Sequence, residues 1–270
     1  MNWRIRPLLL GEAEVPNVLD VFWSLSTDRG RSSVPILGFL LIAPDGEPVV
    51  VDCGMRDPKR AIDVHRLGPH SCSPEQSLAA QLALHGVKPE NVKTLILTHL
   101  HYDHVGNFHR FPAAQFHLQE PEIHYATGRY MRYPRLAHSF EVEDIVGVVR
   151  LNYAKRVLFY NGGAELAPGI TIHPVGGHSA GLQFVKVHTK RGWVVVASDV
   201  THFYENMESG RPFTTAFHIG EMLEGFETLR ALAPSPRHIV PGHDPEVMRR
   251  YPAAPGLEGI AVRLDLEPGE

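Results

Sequence analysis

The sequence predicts an α/β fold in which helices cover the faces of β-sheets. Short apolar runs typical of buried strands recur along the chain, and segments with helical periodicity lie between some of them. Side chains of the metal-ligating types follow several of these runs directly. The 270 residues contain no repeat and no low-complexity linker, so we expect a single domain over 1–270.

The elements before residue 120 are predicted from apolar runs and their boundaries. Two apolar runs, 35–43 and 47–54, are joined by Pro-Asp-Gly, which is a hairpin signal. A helix is expected over 73–87, with Ser73 as its N-cap and Gly86 as its end. The strands expected in this part are 35–43, 47–54, 92–97 and 113–119.

Strand patterns resume after residue 150, and one further helix is expected over about 220–233. Residues 119–150 fit no single element and are rich in aromatic and basic side chains. Because a long segment of this kind is often a lid or a pocket wall, we expect 119–150 to be an insertion that borders a substrate pocket. The later strands are expected at 156–160, 169–175, 182–189, 192–198 and 238–240.

The stretch HLHYDH at 99–104 carries the strongest functional signal. His99 and His101 are two residues apart, so in an extended chain they point the same way. Asp103 and His104 follow as the chain turns. Zinc prefers nitrogen and sulfur donors and also accepts carboxylates. The spacing predicts one ion shared by the two histidines and a second ion within reach of the Asp-His pair.

Three more ligand-type residues each follow an apolar run. They are His178 in GGHSAG, Asp199 in ASDV and His243 in PGHD. Strand ends on one edge of a sheet are where such residues can converge. The seven residues are too many for one tetrahedral zinc, so we expect two metal ions per chain.

Taken in order, HLHYDHVG, GHSAG, SD and PGHD resemble the motifs of the metallo-β-lactamase superfamily. The upstream VVVDCG resembles the Asp-x-Gly motif of that family, and the resemblance covers residues 35–245. It implies a four-layer αβ/βα sandwich with the site at the edge between two β-sheets.

The same resemblance assigns roles to individual residues. It implies that Asp199 bridges two zinc ions and that Asp52 orients the site through hydrogen bonds. Other divalent metals also suit histidine and aspartate ligands. The implied ligands are His99, His101 and His178 for one ion, and Asp103, His104 and His243 for the other.

The implied activity is hydrolysis by a metal-bridging hydroxide, with Asp103 also close enough to shuttle a proton. The segment 198–213 and the spacing of the motifs resemble the acyl-homoserine lactonases. We therefore expect a lactonase that opens a lactone ring, with N-acyl homoserine lactone as the candidate substrate and no organic cofactor.

Two side chains are candidates for stabilising the substrate oxygen. In the homoserine lactonases a tyrosine three residues after the bridging aspartate points at the lactone. That position is His202 here, and Tyr204 follows two residues later. Both can donate a hydrogen bond to a developing oxyanion. The candidates for the substrate pocket are Tyr102, Tyr130, Tyr133 and His218.

Two alternatives stay open. One is a thioester hydrolase of the hydroxyacylglutathione type, which would normally carry a basic helical region after the last ligand, where little chain remains. The other is a non-catalytic metal-binding protein of the same fold, which would be expected to have lost ligands, whereas all seven are present.

Composition excludes other partners. A net charge of -4 gives no basic footprint for nucleic acid, and two cysteines do not make a disulfide framework. The apolar run at the N-terminus is too short for a signal peptide, and no run is long enough for a membrane span. We expect a cytoplasmic enzyme that acts on a small molecule, as a monomer or a homodimer.

Overall fold

Two β-sheets face each other, and helices cover their outer faces. The computed structural model describes residues 2–15, 32–63 and 69–269. Within these ranges one sheet has seven strands and the other has five. This is the four-layer αβ/βα sandwich that the sequence motifs implied.

The seven-stranded sheet has the order β4-β1-β2-β3-β5-β6-β7. The predicted hairpin is confirmed, since β2 and β3 are antiparallel partners. From β3 to β7 neighbouring strands in the sheet are parallel, so their carboxyl ends meet at one edge. The strands are β1 (Arg4–Val15), β2 (Ser32–Ile42), β3 (Pro48–Val51), β4 (His70–Ser71), β5 (Thr94–Ile96), β6 (Gln115–Gln119) and β7 (Val157–Tyr160).

The five-stranded sheet has the order β12-β11-β10-β9-β8. The pair β11 and β12 is parallel, and the other pairs are antiparallel. Strand β8 was not predicted from the sequence. The strands are β8 (Ala164–Ala167), β9 (Ile170–Pro174), β10 (Gln183–Thr189), β11 (Gly192–Ser198) and β12 (Ile239–Pro241).

The helix expected over 73–87 is shorter than predicted. Ser73 caps a single 3₁₀ turn, and Ser77 then caps a separate α-helix, because a second serine offers the backbone another N-cap. Among the described residues no helix is long and apolar enough to cross a membrane. The helices are α1 (Pro58–Asp63), α2 (Leu78–Ala83), α3 (Tyr102–Val105), α4 (Glu120–Ala126), α5 (Pro134–Ala137), α6 (Val142–Tyr153), α7 (Tyr204–Ser209), α8 (Ile219–Leu232) and α9 (Val247–Arg250).

The two apolar layers follow from the alternation of side chains along the strands. In β2, Phe39 and Leu41 face the second sheet, whereas Leu40 and Ile42 face α2 and α6. Helix α8 covers the second sheet with Met222 and two further apolar residues. Burial of each apolar side chain of this size contributes about 1.5–3 kcal/mol to the free energy of folding. The packed sheets therefore hold their shared edge rigidly, and the candidate site lies there.

Candidate metal centre

All seven ligand-type side chains predicted from the sequence converge where strands of both sheets end, and His202 joins them. The first motif follows β5, His178 follows β9, Asp199 follows β11 and His243 follows β12. Within each group the ligand atoms lie within 4.8 Å of one another. The groups are His99–His101–His178, His99–His104–Asp199, Asp103–His104–His243 and His178–Asp199–His202.

Each of three rings is oriented by a hydrogen bond from its Nδ1–H. His178 donates to the carbonyl of Thr215 at 2.8 Å, and His243 donates to the carbonyl of Pro35 at 2.8 Å. His104 donates to Oδ2 of Asp52, also at 2.8 Å. Because Nδ1 is engaged outside the centre, Nε2 of each ring faces inward and is the atom available to a metal ion.

Asp52 lies at the end of β3 beneath the first motif. Its Oδ1 accepts from the backbone N–H of Thr98 at 2.8 Å, and its Oδ2 accepts from the Thr98 hydroxyl at 2.7 Å. Ser198 Oγ also donates to Oδ2, at 3.2 Å. Asp52 has φ of 57°, a strained backbone conformation for a side chain of this kind. These contacts support the orienting role that the sequence suggested for Asp52.

Asp199 is at the middle of the ligand set. Its Oδ2 lies 3.2 Å from Nε2 of His178, 3.3 Å from Nε2 of His243 and 3.5 Å from Nε2 of His104. Burial acts to raise the pKa of this carboxyl, but the surrounding imidazoles, His243 first, hold it well below its usual range. A carboxylate in this position can contact both ligand groups at once.

The other pKa shifts divide the histidines into two kinds. Burial lowers the pKa of His99 and His101 well below the ordinary value, and neighbouring rings add to the effect. For His104 and His243 burial acts in the same direction, but the carboxylates of Asp199 and Asp103 overcome it and raise the pKa.

The donor set fits a metal ion. Nε2 of His104 is buried and makes no hydrogen bond to any described residue, although the nearest carboxylate oxygen lies 3.5 Å away. Nε2 of His178 faces Nε2 of His99 at only 3.2 Å. Two inward-facing imidazole nitrogens at this distance, with a buried nitrogen that lacks a partner, are what divalent cations bind.

The structure brings His202 to the centre but not Tyr204. Nε2 of His202 lies 3.0 Å from Oδ2 of Asp199, and its ring stacks on Phe213 with centroids 3.6 Å apart. Burial lowers the pKa of His202 to about 4, against the effect of Asp199. The ring of Tyr204 instead lies under the guanidinium of Arg250, 3.9 Å from centroid to carbon. Because α7 begins at Tyr204, the side chain is turned into the core, and this position does not support the expected role.

The pocket candidates differ in their surroundings. The hydroxyl of Tyr102 lies 2.7 Å from Nε2 of His70. Tyr130 is half-buried, and its ring contacts Phe217. Tyr133 is 51% exposed, under the guanidinium of Arg132.

His218 has a different function in the fold. It is exposed, and its Nδ1 accepts from the backbone N–H of Glu221 as the N-cap of α8. A residue that caps a helix in this way is committed to the backbone. The position therefore does not support a place for His218 in the substrate pocket.

Sequence reasoning missed three supporting residues. Thr98 and Ser198 hold Asp52, and Glu122 is a fully buried carboxylate beside the first motif. The hydroxyls carry no signal of their own, because serine and threonine are common at strand ends. Glu122 lies inside the segment 119–150, whose pattern gave no indication of a buried charge.

Comparison with known proteins agrees with this geometry. A family model described as the metallo-beta-lactamase superfamily matches residues 39–243. The N-acyl homoserine lactonase of Bacillus cereus is 28% identical over 234 residues, which is 83% of this chain and 86% of that protein. The N-acyl homoserine lactonase AttM of Azorhizobium caulinodans is 27% identical and covers 67% of this chain and 69% of its own.

Solved structures show the same fold. A crystal structure of a quorum-quenching N-acyl homoserine lactone hydrolase matches with a TM-score of 0.74 at 24% identity, over 91% of this chain and 94% of its own. AidC, a dizinc quorum-quenching lactonase, matches with a TM-score of 0.69 at 14% identity, over 90% and 88%.

Facing sheets with a histidine and aspartate ligand set at their common edge define the class of metallo-β-lactamase folds. The match over most of the chain makes the assignment direct. This chain belongs to the metallo-β-lactamase superfamily.

Proposed function

We propose that this chain is a metal-dependent lactonase that opens N-acyl homoserine lactones. The observation that carries the proposal is a complete set of seven converging ligand-type side chains. It occurs in a chain whose curated relatives, over as much as 83% of its length, are named N-acyl homoserine lactonases.

The centre would hold two divalent ions, with zinc as the first candidate. One ion would be held by His99, His101 and His178, the other by Asp103, His104 and His243, with Asp199 between them. Bound ions supply Lewis acidity that lowers the pKa of water and polarises an ester carbonyl.

Asp103 is the ligand carboxylate that is more open to solvent. Its side chain is 13% exposed, whereas that of Asp199 is 3% exposed. Asp103 is therefore placed to take the proton released as a water oxygen bonds to the carbonyl carbon. It returns this proton to the ring oxygen when the C–O bond of the lactone breaks, and the product is a hydroxy acid.

His202 is the donor for the developing oxyanion. Its imidazole lies flat on Phe213 and presents Nε2 at the centre, beside Asp199. A ring held between a carboxylate and an aromatic face keeps its orientation without reorganisation, which is the condition for electrostatic stabilisation. The lowered pKa of about 4 keeps this ring neutral at pH 7, and its single N–H, on Nε2, would be shared between Asp199 and the developing oxyanion.

An aromatic wall borders the centre on the side of the segment 119–150. Phe140 contacts the ring of His101, with centroids 4.7 Å apart. Tyr125 and Tyr130 contact Phe217 at 4.6 and 5.2 Å, and the backbone of Phe217 donates to the carbonyl of Gly177, next to His178. Tyr125 and Phe140 are buried, so the surface that would be open to the acyl chain is formed by the half-buried rings of Tyr130 and Phe217.

The test is a substrate panel measured on metal-free and zinc-reloaded protein. The panel contains N-acyl homoserine lactones of several chain lengths, simple γ- and δ-lactones and a glutathione thioester. We expect hydrolysis only after reloading to about two ions per chain, with kcat/KM for the acyl homoserine lactones of about 10⁴ M⁻¹s⁻¹ or more.

Two results would contradict the proposal. Preference for the thioester would favour the hydroxyacylglutathione type of hydrolase. No hydrolysis of any member at full metal loading would favour a non-catalytic metal-binding protein.

A further inference from the structure

We propose that Glu122 is a positioning residue for the metal ion of His99, His101 and His178. Its carboxylate ties together the two loops that supply these three ligands. The inference rests on the proposed function only in that the centre holds metal, and its test requires no substrate.

The contacts of Glu122 join the two loops at defined atoms. Oε1 accepts from the backbone N–H of Leu100 at 3.0 Å, and Oε2 accepts from the backbone N–H of Gly181 at 2.9 Å. Leu100 lies between His99 and His101, and Gly181 lies three residues after His178. One rigid carboxylate group therefore fixes the spacing between the two segments.

The chain is built to let Glu122 come this close. A Cβ at Gly181 would collide with the backbone nitrogen of Glu122, so only glycine permits the approach. Glu122 is wholly buried at the start of α4. A buried carboxylate is costly unless its oxygens are hydrogen-bonded, and here each oxygen has a backbone donor.

The effects on the pKa of Glu122 agree with a buried carboxylate that hydrogen bonds hold in place. Burial raises the pKa of Glu122, whereas the donors, the backbone N–H of Leu100 first, act in the opposite direction. A neutral residue of the same shape cannot replace it. Glutamine would keep one acceptor oxygen but would place an NH₂ group against a backbone N–H.

The experiment is a metal titration of Glu122→Gln, with Glu120→Gln as the matched control. Glu120 lies two residues earlier, at the start of α4, and is exposed, so its substitution makes the same change of side chain without touching the loops. Full-length protein stripped of metal is titrated with Zn²⁺ and, for the absorption spectrum, with Co²⁺. We expect Glu122→Gln to bind one of two ions about 10–100-fold more weakly, with the second ion and the control unchanged.

Two outcomes would overturn the inference. In one, both ions bind to Glu122→Gln as they do to the control. In the other, both ions weaken equally and the metal-free variant melts well below the control, which means that Glu122 only stabilises the fold.

A second measurement on the unaltered chain does not depend on how the variant folds. Because Glu122 accepts hydrogen bonds from the amides of Leu100 and Gly181, these amides should exchange slowly with solvent in the metal-free protein. Exchange at the rate of exposed loop amides would show that the tie does not exist. A failure to hydrolyse lactones would leave both measurements unaffected, so the two proposals fail separately.

Discussion

The floor of the metal centre and its rim are built in opposite ways. The floor, formed by the seven ligand-type residues, is almost wholly buried, and three of its rings have a hydrogen-bond partner outside the centre. Residues 128–138, which we expect to form the rim, are exposed or half-buried, and Arg129 and Arg132 lie over the neighbouring tyrosines. We therefore expect changes in the floor to affect turnover most and changes in the rim to affect substrate preference.

The largest effect is expected in the floor, from Asp103→Asn. The amide cannot take a proton, and it is a weaker ligand than a carboxylate. We expect hydrolysis to fall by about 10²–10⁴-fold while the fold is retained. The measurement is kcat/KM together with metal content and circular dichroism.

The exposed aspartate Asp45, in the hairpin turn, provides the control as Asp45→Asn, which should leave turnover unchanged. Near-normal turnover of Asp103→Asn would mean that Asp103 is neither a ligand nor a proton carrier.

An intermediate effect is expected between floor and rim, at His202. His202→Ala removes the proposed oxyanion donor, and since the ions share the charge, kcat should fall by about 10–10²-fold, at the low end for such a donor. Tyr204→Phe should leave kcat unchanged, because the ring faces Arg250 rather than the centre.

Both variants must be compared at equal metal loading. His202→Gln, which retains an N–H donor, should recover part of the activity. A loss in Tyr204→Phe with normal turnover in His202→Ala would reverse the assignment.

The smallest effect is expected in the rim. Tyr130 is half-buried against Phe217, so Tyr130→Ala should shift the preference between short and long acyl chains by about five- to tenfold in kcat/KM. Tyr133→Ala is the comparison, since this more exposed ring should shift the preference less. Equal responses of every chain length to Tyr130→Ala would show that the rim does not contact the acyl chain.

The convergence of the seven ligand-type residues was predictable because each of their motifs follows an apolar run. When a histidine or an aspartate follows a predicted strand, the strand indicates where the residue lies, and its side chain indicates which ligand atom it offers. The hairpin of β2 and β3 was predicted from two apolar runs and the turn between them. The two facing sheets were implied by the order of the motifs. Strand β8 was missed because its side chains are only partly buried and carry no apolar run.

Two side chains that do not lie where we expected them show which information a sequence pattern lacks. Tyr204 stands close to Asp199 in sequence, but the start of α7 turns its side chain away. His218 was expected in the pocket, whereas helix capping uses its ring nitrogen. In both cases backbone direction, which spacing does not encode, decided where the side chain points. Glu122 was missed for another reason: its partners are backbone amides, which no side-chain motif in the sequence reveals.

The ligands are divided between the two sheets, and this division has a consequence outside the reaction itself. His99 and His104 follow β5 of the first sheet, whereas His178, Asp199 and His243 follow strands of the second. An ion that binds both sets binds only the chain whose sheets are docked, and it therefore protects the chain from opening and from proteases. Metal supply in the cell would then set the lifetime and abundance of the protein as well as its turnover.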